Sequence, residues 1–206
     1  MTRRPISSAR RDVSIFDTPE ERLIEQCRAG EMGAFDELMA RHQDRVFNLC
    51  LWHSRDPEAA SDATQEVFIR VFRSLKNFRG DCAFSTWLHR IAVNIALDQA
   101  NWRQRTPVPI STLERSETSF PEPADTGDHP GEALTRRERR LAVREAMAAL
   151  PEHHRLVLVL FDIQGYAYGE ISEILKVPIG TVRSRLNRAR AALREKLELH
   201  RELFED

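Results

Sequence analysis

The sequence predicts an all-α protein that consists of two small helical domains joined by a flexible acidic linker. Apolar residues recur at spacings of three and four along most of the chain, as they do on amphipathic helices. Runs of alternating β-branched residues, which would indicate strands, are absent from the sequence. Residues 104–135 carry six acidic and two basic residues and five of the ten prolines, so this stretch is predicted to link two folded parts.

In the N-terminal part the sequence predicts four helices. Thr18 is placed to cap the first helix, Pro19 occupies a first-turn position where no N–H is needed, and Gly30 ends the helix. Two further breaks separate the remaining three helices: Asp56-Pro57, and the loop 77–84 with Gly80 as its turn residue.

In the C-terminal part, 14 basic and 11 acidic residues over 136–206 give a net charge of +3. Pro151 is placed to open a helix there, because a proline is tolerated in the first turn. Apolar spacing and the prolines together predict four helices, over 132–149, 152–164, 167–175 and 178–199.

Length and composition exclude several classes of protein. The chain has 206 residues, and a hydrophobic fraction of 41% is too high for a wholly disordered protein. The longest strongly apolar run, residues 156–161, is far shorter than the roughly 20 residues of a membrane helix. The N-terminal arginines precede no apolar stretch, so no signal peptide is visible.

The cysteines Cys27, Cys50 and Cys82 are odd in number and widely spaced, which argues against a disulfide framework or a structural zinc site. Unpaired thiols of this kind fit a reducing cytoplasm. Because Cys27 and Cys82 each have an arginine within three positions, a redox-sensing role stays open beside the simpler prediction of unpaired buried thiols.

Residues 168–190 follow a helix-turn-helix pattern, in which Pro178 stops the first helix. The second helix has six basic residues and one acidic residue between positions 179 and 196. DNA phosphates would explain that excess, and the first turns of such a helix reach base edges. A solvated charged face is the alternative. The side chains predicted to face DNA are Thr181, Arg183, Ser184, Asn187 and Arg188; arginine suits guanine or phosphate, and asparagine suits adenine.

Four short stretches resemble a known family. Residues 62–68 (DATQEVF), 77–81 (NFRGD) and 86–94 (TWLHRIAVN) resemble conserved region two of bacterial sigma factors. Residues 178–185 (PIGTVRSR) resemble region four. With these two regions and a short acidic linker, the chain resembles an extracytoplasmic-function (group IV) sigma factor of RNA polymerase.

The resemblance covers residues 20–103 and 132–199 in the family's order. Ser172, Lys176 and Asn187 depart from residues that are frequent in the family, which leaves the exact minus-thirty-five sequence open. The chain is thereby divided into a disordered N-terminal extension at 1–17, region two at 18–103, a linker at 104–131 and region four at 132–206.

The resemblance implies core RNA polymerase and promoter DNA as partners, with an anti-sigma protein that holds the factor inactive. Region four would contact the β flap and read the minus-thirty-five element as duplex. The acidic linker would thread toward the RNA path of the polymerase. A helix of region two would dock on the β′ clamp helices through Asp62, Gln65, Glu66, Phe68 and Ile69.

Opening the minus-ten element requires a pocket for a flipped base, because unstacking costs a few kcal/mol that ring stacking and hydrogen bonds must offset. The resemblance places this base between Phe78, which offers a stacking face, and Asn94, which offers a donor and an acceptor. Arg79 and Arg90 would hold nearby phosphates. Phe78 could instead fold back as a local plug, and Asn94 could simply face water; Phe84 and Trp87 are assigned to the core.

Enzyme motifs such as GxGxxG, a P-loop, GxSxG and HExxH are absent from the sequence, so no catalytic residue, cofactor, metal or small-molecule substrate is predicted. His153-His154 is predicted to be a solvated pair. A stand-alone helix-turn-helix regulator is the alternative function, but it leaves residues 62–103 unexplained. A helical adaptor that does not bind DNA leaves the basic helix unexplained.

Overall fold

A computed structural model describes residues 19–105 and 130–204, and these two ranges contain helices and turns without any strand. The all-α prediction is confirmed for them. The extension predicted at 1–17 and residues 106–129 of the predicted linker lie outside the described residues.

The N-terminal unit contains four α-helices. Gly30 follows the first helix with a φ of 95°, a left-handed value that glycine adopts without strain. The Asp56 carboxylate caps the third helix by accepting a hydrogen bond from the backbone N–H of Glu58 at 3.1 Å. The helices are α1 (Pro19–Ala29), α2 (Met32–Ser54), α3 (Pro57–Ser74) with a 3₁₀ turn at Leu75–Asn77, and α4 (Phe84–Arg105).

The C-terminal unit contains four more α-helices, of which the second and the last continue in other helical forms. The second widens into a π-helical turn, and a 3₁₀ segment follows the last. The elements are α5 (Pro130–Ala148), α6 (Glu152–Leu158) with the π turn Val159–Ile163, α7 (Tyr168–Leu175), and α8 (Ile179–Leu197) with the 3₁₀ segment Glu198–Leu203.

One continuous hydrophobic core runs through both units. Leu38, Leu49 and Leu88 are fully buried in the first unit, and Leu160 and Ile171 are fully buried in the second. Helix α4 packs against α2 and α3 on the side of its own unit and against α7 on the other side. The two units that the sequence predicts on a linker are therefore packed against each other.

The turn between α7 and α8 contains a strained residue. Lys176 has a φ of 52° and a ψ of 45°, which is the left-handed region where a Cβ atom crowds the following carbonyl. Its backbone N–H still bonds the carbonyl oxygen of Ser172, and its side chain is exposed. Lysine therefore occupies a helix end that glycine fits better.

We expect Lys176→Gly to raise the free energy of unfolding by about 0.5–1 kcal/mol, since relief of the left-handed strain exceeds the added flexibility of the unfolded chain. Lys176→Ala is the matched control, because it keeps the Cβ atom and should bring no such gain. Chemical denaturation followed by circular dichroism measures both variants. Equal stability of the two variants would contradict this account of the turn.

Candidate nucleic-acid and polymerase interface

The outer face of α3 carries four of the five residues predicted to dock on the polymerase. Asp62, Gln65 and Ile69 are exposed, and Glu66 is half-buried and accepts a hydrogen bond from Arg70 at 2.7 Å. Phe68 differs from the prediction: it is only 6% exposed and belongs to the core. Phe68 anchors α3 to the core instead, because the side chains of one helical turn point in different directions and cannot all face the polymerase.

An apolar patch that the sequence did not indicate lies beside this face. Phe72 is 49% exposed and Met32 is 58% exposed. Phe72 meets Phe35 edge to face with ring centres 5.0 Å apart, and all three residues line one cavity. Phe72 lies three positions after Ile69. This helical spacing places it on the same face as the predicted docking residues and could have identified it from the sequence.

Phe78 is buried, whereas the resemblance implied a ring with an exposed face for stacking on a base. The side chain is 8% exposed and packs against Phe84 and Trp87, with ring centres 5.7 Å and 5.1 Å away. Its carbonyl oxygen accepts a hydrogen bond from the Arg28 guanidinium. The alternative reading of Phe78 as a local plug matches this conformation, and Phe84 lies in the core as expected.

The other three residues predicted for the minus-ten strand are accessible. Arg79 is exposed next to Gly80, whose φ of 77° turns the loop. Arg90 is half-buried and Asn94 is exposed, one helical turn apart on α4. Asn94 also lines a cavity of 180 Å³ that residues of α6 and α7 and Arg185 of α8 line as well.

The basic helix α8 presents its predicted DNA-facing residues together. Arg183, Ser184, Asn187 and Arg188 are exposed, and Thr181 is half-buried. The Ser184 hydroxyl donates to the Thr181 carbonyl at 3.0 Å. The helix is anchored from the opposite side by its buried residues Val182, Leu186 and Ala189.

Comparison with known proteins covers both units. The family model of sigma-70 region 2 matches residues 38–106, and the model of sigma-70 region 4 matches residues 140–193. The RNA polymerase sigma-H factor of Pseudomonas aeruginosa is 37% identical over 87% of this chain and 94% of its own length. The ECF RNA polymerase sigma-E factor of Escherichia coli is 36% identical over 85% of this chain and 93% of its own length.

The chain is an extracytoplasmic-function sigma factor. As such it is not an enzyme; it binds core RNA polymerase and promoter DNA and acts in transcription initiation. The match to region 2 accounts for residues 62–103, which a stand-alone helix-turn-helix regulator leaves unexplained.

A solved structure shares the fold of this sigma factor. The sigma factor RpoE from Bartonella quintana, in complex with the anti-sigma factor NepR, aligns with a TM-score of 0.61 and 21% identity. The alignment covers 80% of this chain and 96% of the RpoE chain. The likeness shows that this chain and RpoE share one fold.

Two aromatic rings support the arginines of α8, and sequence reasoning did not identify them. Tyr168 stacks on Phe161 with ring centres 4.8 Å apart. The Arg183 guanidinium lies 5.6 Å from the Tyr168 ring, and the Arg190 guanidinium lies 5.1 Å from the Phe161 ring. Cation–π contacts of this kind restrict an arginine without neutralising it. The only sequence signal was an aromatic residue at the start of the helix-turn-helix.

The cysteines of the sigma factor are free, and two of them are half-buried rather than buried. Burial raises the pKa of the Cys50 thiol to about 11, and burial also raises the pKa of Cys27 and of Cys82. Thiols with raised pKa values stay protonated at neutral pH and react slowly with oxidants. This protonation argues against the redox-sensor alternative.

Within the described ranges, no group of three or more His, Cys, Asp or Glu side chains is placed to hold a metal ion. The rings of His153 and His154 lie 4.4 Å apart, and burial lowers the pKa of His154 beside Arg185 and Arg188.

None of the described helices has the length and apolar character needed to span a bilayer.

Removal of the Tyr168 ring should loosen Arg183. We expect Tyr168→Leu to weaken discrimination between a promoter and a copy with a scrambled minus-thirty-five element by about 0.5–1 kcal/mol, the value of an exposed cation–π contact. Tyr168→Phe keeps the ring and should retain the discrimination. Competition between the two templates for holoenzyme, read as transcript, measures it.

A double variant tests whether Tyr168 acts through Arg183. If it does, Tyr168→Leu should have little further effect in an Arg183→Ala background. Additive losses in the double variant would show that Tyr168 contributes independently of Arg183.

Proposed function

We propose that this sigma factor divides promoter recognition among three of its helices. The exposed face of α3 docks on the β′ clamp helices of core RNA polymerase, α4 and the loop before it hold the opened minus-ten strand, and α8 reads the minus-thirty-five duplex. The observation that carries the proposal is the outward arrangement of four polar residues on α8 above a buried apolar anchor.

Duplex reading by α8 is supported by charge and shape. The major groove, about 12 Å wide, admits a single α-helix, and the first turns of that helix reach the base edges. Arg183 and Arg188 are exposed and can bond guanine bidentately, and Asn187 can do so with adenine. Arg194 and Lys196 lie too far along the same helix to reach the base edges.

Strand opening by α4 is supported by the accessible donors and acceptors of Asn94 and by the cations of Arg79 and Arg90. The base pocket requires one change from the observed conformation, since Phe78 is packed between Phe84 and Trp87. We infer that the loop 77–83 turns Phe78 outward when a flipped base arrives. The unstacked base then replaces the lost ring contacts of Phe78.

Polymerase docking by α3 is supported by the mixed character of its outer face. Asp62 and Glu66 supply negative charge, and the exposed apolar surface of Ile69 and Phe72 lies along the same helix. Interfaces of stable complexes combine such an apolar centre with a charged rim. The clamp helices would have to provide basic residues around an apolar strip.

An anti-sigma protein is proposed as the regulator. The shared fold with a sigma factor solved in complex with the anti-sigma factor NepR supports it.

Because core polymerase and the chromosome lie in the cytoplasm, we also place this sigma factor there. The β flap is proposed as the contact of region four on the polymerase.

Purified core polymerase provides the direct test of the function. Addition of the chain should start run-off transcripts at defined positions on genomic DNA, and core alone should not start them. If the chain neither binds core nor changes where transcription begins, the proposed function is wrong.

Asn94→Ala should reduce productive opening of a duplex promoter by about tenfold, because the flipped base loses a hydrogen-bonded pair worth about 1–3 kcal/mol. A pre-melted template should restore transcription. Asp98→Asn changes another exposed residue of α4 and is the matched control. Transcription by Asn94→Ala that stays low on the pre-melted template would remove Asn94 from the strand pocket.

Arg183→Ala and Arg188→Ala should each cost about 1–3 kcal/mol of promoter binding if the side chain pairs with a base, and should relax sequence preference at one position. Arg194→Ala is the matched control, since Arg194 lies on the same helix beyond the reach of the bases. Binding of holoenzyme to a set of single-base promoter variants measures the preference. An unchanged preference in both variants would contradict the role of α8.

A further inference from the structure

A cluster of polar side chains is buried where the two units of the sigma factor meet. His89 of α4 is 0% exposed, and Tyr166, in the loop before α7, is 4% exposed. Gln164, which follows the π turn, is 9% exposed. Burial of polar groups costs free energy unless they find partners, so the contacts of this cluster decide whether the interface is stable.

Four polar contacts join the units at this point. The Tyr166 hydroxyl lies 2.8 Å from Nδ1 of His89. The Gln164 side-chain amide donates to the Arg45 carbonyl at 2.8 Å, and the Arg45 guanidinium donates to the Gln164 carbonyl. The guanidinium also lies 5.3 Å from the centre of the Tyr166 ring. We call Arg45, His89, Gln164 and Tyr166 the interdomain latch.

The His89 ring can satisfy only one of its nitrogens in this position. Nδ1 lies 2.9 Å from the Ser85 carbonyl as well as near the Tyr166 hydroxyl. Nε2 is buried and has no hydrogen-bond partner within the described residues. Protonation would place N–H groups on both nitrogens and a positive charge on a ring that is fully buried near the Arg45 guanidinium, and burial of such a charge costs free energy.

The closed arrangement conflicts with promoter binding at both elements. Asn94 and Arg185 line the same cavity of 180 Å³, so parts of the proposed strand-binding and duplex-reading helices lie close together. Elements named for positions minus ten and minus thirty-five are about 25 base pairs apart, or about 85 Å along B-DNA at 3.4 Å per pair. The units must therefore separate before both elements can be bound.

We propose that the interdomain latch holds this sigma factor in a closed form that cannot engage a promoter, and that protonation of His89 releases it. The proposal rests on the promoter-binding roles proposed above for α4 and α8. The latch couples one titratable ring to the separation of the two units, because opening gives both ring nitrogens access to water.

The electrostatic surroundings of His89 act in the same direction. Burial, together with smaller effects of Arg45 and His42, lowers the pKa of His89 to about 4, although the Ser85 carbonyl and the Gln164 side chain act in the opposite direction. The carboxylate of Glu20 lies 2.8 Å from His42. Glu170 and Glu20 act on Tyr166, whose pKa is raised mainly by burial, so its hydroxyl keeps its proton.

The sign of the pH effect follows from the two pKa values of His89. An exposed histidine has a pKa near 6.5, so the open form binds a proton more readily than the closed form. The contribution of His89 to the stability of the closed form is complete above pH 6.5 and decreases as the pH falls toward 4. Between pH 7.5 and 5.5, the ratio of open to closed molecules should rise by about tenfold.

Two further contacts join the units away from His89. Nδ1 of His53 lies 3.2 Å from a Glu152 carboxylate oxygen across the two units. The Arg55 guanidinium also donates to the Ala148 carbonyl, independently of pH.

The distance between the units in the isolated full chain tests the latch. Fluorescent dyes on unnatural amino acids at the exposed positions Glu37 in α2 and Glu195 in α8 report that distance by energy transfer. The wild type should shift by about tenfold toward the open form between pH 7.5 and 5.5, with unchanged helicity by circular dichroism. His89→Asn places an amide near the Nδ1 position without a titrating group, and should stay closed over this range.

Two further variants separate the contacts. Tyr166→Phe removes one buried hydrogen bond and should raise the open fraction about two- to tenfold at pH 7.5, with its pH response retained. His153→Asn replaces an exposed histidine and should behave as the wild type. If His89→Asn opens as much as the wild type on acidification, or if Tyr166→Phe leaves the open fraction unchanged, the latch is overturned.

Transcription with core polymerase distinguishes failure of the latch from failure of the proposed function. If only the open form is competent, Tyr166→Phe should lower the concentration needed for half-maximal transcription by the factor by which it raises the open fraction. Promoter-directed transcription by a chain whose units do not respond to pH would reject the latch alone. Opening on acidification without any promoter-directed transcription would reject the proposed function and leave the conformational response standing.

Discussion

Helix α4 is the constraint on which the rest of this sigma factor depends. It must bury apolar residues against α2 and α3 to complete region two, and it also packs against α7 of region four. The same helix carries Arg90 and Asn94, the residues proposed to hold an opened DNA strand. A helix has one circumference, so each surface given to packing is taken from the surface left for DNA.

DNA binding by the chain depends on where its charged residues lie rather than on its total charge. A formal net charge of −1 gives no reason to bind DNA, but the basic residues of α8 lie on one exposed helix. Phe161 and Tyr168 hold two of its arginines over ring faces, and Asp162 pairs with Arg190 at an Nε–Oδ2 distance of 3.3 Å. Less side-chain freedom is then lost when DNA arrives, which favours affinity and selectivity together.

The contact between the two units combines apolar burial with polar groups that are only partly satisfied. The continuous core supplies the attraction, whereas Nε2 of His89 and the side-chain oxygen of Gln164 are buried without hydrogen-bond partners within the described residues. A partly satisfied polar interface is weaker than an apolar one of equal area, because each unpaired group keeps its desolvation cost. Such an interface suits the separation of the two units that we propose.

The sequence by itself determined the helices, their ends, the helix-turn-helix and the family. Apolar spacing, the Asp56 cap and the glycine at position 30 act over a few residues, so they can be read without knowledge of the fold. Only the tertiary structure decided that Phe68 and Phe78 point inward, that Phe72 is exposed, and that His89 meets Tyr166 across 77 positions of the chain. Which side of a residue is covered depends on helices distant in sequence, and no local pattern records how those helices pack.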